Sequence, residues 1–169
     1  MLITLRLIHI LAGAFWAGTA IFTVAFLIPT IRALGPAGGP VMQHITQVRK
    51  LPLYFLGAGI LTLISGIGLY SRASAGFSNA WMRSGQGTTF GIGAVLAIAA
   101  MVIGMLVTSP TAKRVAALGA TIAGAGRPPS PEQQAEMQRL QARMGKTSLV
   151  TTTLLVGATA AMAVARYIS

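Results

Sequence analysis

Four stretches of this 169-residue chain run for about twenty residues without a single Asp, Glu, Lys or Arg. They are Leu7 to Ile28, Leu51 to Tyr70, the region between Arg83 and Lys113 with its apolar centre from Phe90 to Val107, and Thr147 to Ala165. A helix needs about 20 apolar residues to cross the hydrocarbon of a bilayer. The runs are continuous rather than alternating, so they predict helices and not barrel strands. Composition agrees: 54% of residues are hydrophobic and 9% charged, against about 25% charged in ordinary soluble domains. A soluble enzyme, a nucleic-acid module and a disordered chain are all excluded on this ground. The first run is longer than a signal-peptide core, and only Arg6 precedes it, so it is expected to be retained as a helix.

The predicted fold is all-α: a single membrane domain over 1–169, built as a four-helix bundle of two antiparallel transmembrane hairpins. The spans are placed at about 7–28, 51–70, 88–109 and 147–166, with a long cytoplasmic helical hairpin over 110–146. Within that loop Ser130-Pro131-Glu132-Gln133 reads as a helix start with a capping box, and Gly124 to Pro129 reads as the break before it. Glu132, Glu136, Arg139 and Arg143 are spaced to pair along the second arm. No sequence repeat relates the two halves.

Thirteen basic residues against two acidic ones give a formal charge of +11. They flank the apolar runs instead of forming a base-stacking cluster, which argues for anionic headgroups and against nucleic acid. Nine of the thirteen fall in the loops after the first and third runs, and four on the other side. The positive-inside rule then puts both termini outside and the basic loops in the cytoplasm of a cytoplasmic-membrane protein. The expected partners are the lipid bilayer and other membrane subunits or further copies of the chain.

Small residues mark where helices approach closely: Gly13, Ala17 and Ala20 in the first run, Gly57, Gly59, Ser65, Gly66 and Gly68 in the second, Gly91, Gly93, Ala97, Ala100 and Gly104 in the third, Gly157, Ala161 and Ala165 in the fourth. At 100° per residue, His9, Gly13, Trp16, Ala20, Thr23 and Leu27 fall on one line, which suits the interior. Ile8, Phe15, Phe22 and Phe26 fall elsewhere and suit lipid.

Residues able to do chemistry are few. Both carboxylates lie in the cytoplasmic loop and there is no cysteine, so no acid–base pair and no thiolate site can form within the spans. His9 is the one ionisable residue in a span, which makes it a functional candidate: its imidazole could ligate haem iron or copper, with Gly13 and Trp16 shaping a pocket. His44 lies across the membrane, about 30 Å away or more, as a polar loop residue. Met101 and Met105, four apart and expected to share a face, are a second metal candidate because thioethers suit Cu(I). Trp81, beside Arg83, reads as an interfacial anchor.

The segment Leu7-Ile8-His9-Ile10-Leu11-Ala12-Gly13-Ala14-Phe15-Trp16-Ala17-Gly18 resembles the first helix of copper-resistance-D-like membrane proteins and related families. Those helices read Leu-His, several apolar residues, then Trp-x-Gly. Pro29 followed by Arg32, and Ser65-Gly66-Ile67, are similar too. The resemblance implies copper handling in the cytoplasmic membrane. A more distant relation to membrane haem proteins implies His9 as an axial ligand of haem b. Two functions therefore stand side by side: a small cofactor module binding copper or haem at His9, and a non-catalytic accessory subunit of a larger membrane complex with no cofactor of its own.

Overall fold

The computed structural model describes residues 2–168. Among them the chain is all-helical, with no strand. Four helices are long and apolar enough to cross a membrane: α1 Leu2–Ala33, α2 Leu51–Ala73, α3 Gly85–Gly124 and α4 Pro131–Tyr167. At about 1.5 Å per residue, α3 and α4 far exceed the roughly 30 Å of a hydrocarbon core. Their apolar parts, 90–107 and 147–165, therefore make up only part of each rod. Short helical segments over 35–48 link α1 to α2, and the single turn Asn79–Met82 precedes α3.

Proline shapes α1 and α3 in the same way. Pro29 and Pro110 each lack an N–H, and each ring crowds the carbonyl four residues back. Both helices meet this with one wide π-turn just upstream, Thr23–Leu27 and Gly104–Thr108. There the bonds run five residues back, from Ile28 N–H to the Thr23 carbonyl and from Ser109 N–H to that of Gly104. After Pro110 the Thr111 hydroxyl donates to the Val107 carbonyl at 2.7 Å. Both helices thus continue beyond their prolines.

Packing follows the small residues. Going up α1, Leu5 meets Gly68, His9 meets Gly66, Gly13 meets Thr62 and Trp16 meets Gly59, so α1 and α2 run in opposite directions. In the other pair, Gly93 meets Ala158 and Met162, Leu96 meets Gly157, and Gly119 meets Met137, so α3 and α4 are also opposed. The Thr152 hydroxyl donates to the Ala20 carbonyl at 3.4 Å and ties α4 to α1. The buried core holds six alanines, at 17, 20, 58, 97, 100 and 158, around Trp16, Met101 and Leu155. Large apolar side chains stand outside instead: Phe15, Phe22, Phe26, Leu61, Ile64, Val95, Leu106 and Val156 are all exposed. Small residues inside and bulky apolar ones outside is the distribution that suits lipid rather than water.

The expected helix start at Ser130 is present. Its hydroxyl accepts from Gln133 N–H, and the Gln133 side chain returns the bond to Ser130 N–H. At the opposite end of the bundle Trp81 sits between Tyr70 (ring centroids 5.2 Å apart) and Phe90 (6.4 Å), giving an aromatic cluster there.

Candidate functional site

Of the interior line predicted for α1, the part from His9 to Trp16 meets α2 and Ala20 meets α4. Trp16 and Ala20 are buried and His9 and Gly13 half-buried, while Ile8, Phe15, Phe22 and Phe26 face outward. His9, Gly13 and Trp16 are thus brought to one helix–helix seam. The pocket beside Tyr70 and Gly91 and the notch beside Arg114 and Arg143 are lined by other residues.

At the top of the seam His9 Nδ1 lies 2.9 Å from the Thr62 carbonyl and 3.3 Å from Ser65 Oγ. A carbonyl oxygen only accepts, so Nδ1 carries the hydrogen, and in the neutral ring Nε2 keeps the lone pair. Ser65 donates its own hydroxyl to the Leu61 carbonyl, which leaves Oγ to share the imidazole N–H. The ring lies against Gly66: a β-carbon there would stand 2.9 Å from His9 Cε1. One turn deeper, a β-carbon on Gly13 would touch Thr62 Cγ2 at 3.4 Å.

At the lower end Gly59 receives two side chains. A β-carbon on it would come to 2.5 Å from Met101 Cε and 3.0 Å from Trp16 Cε2. Trp16 is also packed edge-on against Phe55, with centroids 6.1 Å apart. Its Nε1 is buried without a hydrogen-bond partner, as is Thr151 Oγ1.

Met101 and Met105 differ in burial, at 7% and 46% exposed: Met101 packs on Gly59, while Met105 stands in the wide turn Gly104–Thr108. Met101 and His9 do not meet. They touch α2 at Gly59 and Gly66, two turns or about 10 Å apart, whereas metal–ligand bonds are about 2 Å. His44 stands exposed in the wide turn His44–Val48 of the α1–α2 link.

The donor set therefore does not fit copper or haem within one chain. His9 is the only bundle residue of its kind, and no group of three His, Cys, Asp or Glu comes together among the described residues. Gly66 also occupies the space against the imidazole. Thr62, Ser65 and Gly66, which fix His9, escaped the sequence reading as its partners. The available signal was a hydroxyl–hydroxyl–glycine run at helical spacing on α2, opposite the small face of α1.

Compared with protein-family models, curated proteins and solved structures, the chain matches none.

Proposed function

We propose that the chain is a multi-pass membrane protein acting as a compact, non-catalytic helical subunit, in which His9 is a polar clasp between α1 and α2. The observation that carries this reading is the hydrogen bond from His9 Nδ1 to the Thr62 carbonyl. It gives the only imidazole of the apolar runs a structural use. Interhelical bonds of this kind contribute about 0.6 kcal/mol, up to about 1.7, in membranes. The loop charges favour an orientation with both termini outside and the basic ends of α3 and α4 in the cytoplasm.

One feature favours a second reading, copper handling as the α1 resemblance implies. With Nδ1–H held on a carbonyl, the Nε2 lone pair is oriented and uncommitted, as in metal-ligating histidines. The remaining ligands would then come from another chain.

Replacing His9 with Asn and with Ala separates the two. Asn places an amide N–H where Nδ1–H stands, so a clasp survives His9→Asn and weakens in His9→Ala, read as thermal stability in detergent. Stoichiometric copper, or a Soret band, that disappears in both variants would overturn the structural reading. Orientation is tested separately, since the chain has no cysteine of its own. Asn79→Cys should react with an impermeant maleimide from outside intact cells, and Ala135→Cys only after permeabilisation. The reverse pattern would invert the topology.

A further inference from the structure

We propose that a notch between α3 and α4 binds the phosphate of one anionic phospholipid, held by Arg114 and Arg143. The notch is about 130 Å³ and is lined by Leu106, Val107, Pro110, Thr111, Arg114 and Arg143. At about 30 Å³ per water, that is room for about four waters or one tetrahedral oxyanion. The wide turn Gly104–Thr108 and Pro110 shape its α3 wall.

Two observations point to the ligand. The first is position. The apolar part of α3 ends at Val107 and its basic part begins at Lys113. On α4, Arg143 and Lys146 stand just before the apolar run that starts at Thr147. The notch therefore straddles the apolar–basic boundary on both helices, with Leu106 and Val107 on the acyl side and the guanidiniums on the other.

The second is unbalanced charge. The lining contains two arginines and no carboxylate. Glu136, the nearer of the two acids along α4, is two turns or about 10 Å from Arg143. Arginine presents a fork of N–H donors that matches phosphate oxygens. Thr111 donates its hydroxyl hydrogen to the Val107 carbonyl, so the N–H donors offered to a phosphate are those of the two arginines. A phosphodiester with apolar tails satisfies both halves of the lining, whereas a free anion satisfies one.

The proposal rests on the reading that the chain spans a bilayer. The test is run on the full chain in phosphatidylcholine nanodiscs doped with phosphatidylglycerol, with retained lipids counted by native mass spectrometry. One phosphatidylglycerol per chain is expected to outlast the others. Arg114→Gln and Arg143→Gln should each weaken its retention by about tenfold or more, as loss of a charge-assisted phosphate contact does. Arg127→Gln, in the turn after α3 and outside the notch, should not. Equal retention of phosphatidylcholine, or unchanged retention in the double variant, overturns the proposal. So does inorganic phosphate, titrated alone, if it displaces phosphatidylglycerol from the same arginines at millimolar concentration. Helical circular dichroism and co-flotation with vesicles accompany each variant. A chain that fails to float refutes the membrane reading itself, and one that floats without discriminating lipids refutes only the notch.

Discussion

His9 and Thr62 are joined by a hydrogen bond of 2.9 Å from an imidazole nitrogen to a main-chain carbonyl, which links α1 to α2 through a group that α2 cannot lose by mutation. The neighbouring Ser65 hydroxyl supplies a second, longer acceptor at 3.3 Å. Because the main acceptor is backbone, Ser65→Ala should cost little, under about 0.6 kcal/mol, whereas His9→Ala should cost about 0.6–1.7 kcal/mol. Thermal unfolding in one detergent compares the two. A larger loss for Ser65→Ala than for His9→Ala would show that the hydroxyl is the true anchor.

Gly59 and Gly18 make opposite predictions for an added side chain. A β-carbon at Gly59 meets Met101 Cε at 2.5 Å and Trp16 Cε2 at 3.0 Å, while at Gly18 nothing lies within 4 Å. Gly18→Ala should therefore stabilise by about 0.5–1 kcal/mol, the helical advantage of alanine. Gly59→Val should destabilise by about 1–3 kcal/mol through overpacking. Gly87→Ala should be worse than Gly59→Ala, because the obstruction at 2.1 Å is the Trp81 carbonyl, not the end of a flexible side chain. Unfolding in mixed micelles ranks all four, and a neutral Gly87→Ala would sink the argument.

Much of this arrangement can be read from the chain alone, for a physical reason that differs between elements. On α1 small and large residues separate cleanly at helical period, so both the buried line through Trp16 and the exposed line through Phe22 are legible. The capping box at Ser130 is legible because its contacts are local. The register between helices is not. That His9 meets Gly66 while Trp16 meets Gly59 depends on how two surfaces interlock, which no single-helix pattern contains. Nor does Pro110, which signals a disturbed helix, say that the disturbance is a wide turn upstream of it. The notch between Arg114 and Arg143 needs both facts at once.

Trp16 offers a test of an unpaired donor. Its ring is 2% exposed, yet Nε1 has no hydrogen-bond partner. An unsatisfied buried donor costs about 1–3 kcal/mol, so Trp16→Phe removes a penalty while leaving a small void. The two effects oppose, and the expected change in stability is small. Trp16→Ala only empties the site and should cost about 3–5 kcal/mol. A Trp16→Phe loss as large as that of Trp16→Ala would mean that Nε1 is bonded in the membrane, to water or to a partner.

Glu132 makes the amino end of α4 sensitive to acid. The Ser130 hydroxyl and the residue's own backbone N–H hold its carboxyl below the usual carboxylate range, against a weaker opposing effect of burial. The position also favours a negative charge, since the first turn of a helix presents unpaired N–H groups. The sign follows from linkage: a folded-state pKa below the unfolded one means that the ionised carboxyl stabilises the folded end. That contribution is complete above the ordinary carboxylate range and is lost as pH falls through the lowered folded pKa. Amide exchange at Gln133 and Gln134 should therefore quicken below that range, relative to amides in the middle of α4. In Glu132→Gln the same amides should be less protected at neutral pH, and their relative protection should no longer change with acid. Identical acid sensitivity in the variant would assign the effect to the wider charge of the helix, and not to the Glu132 carboxyl.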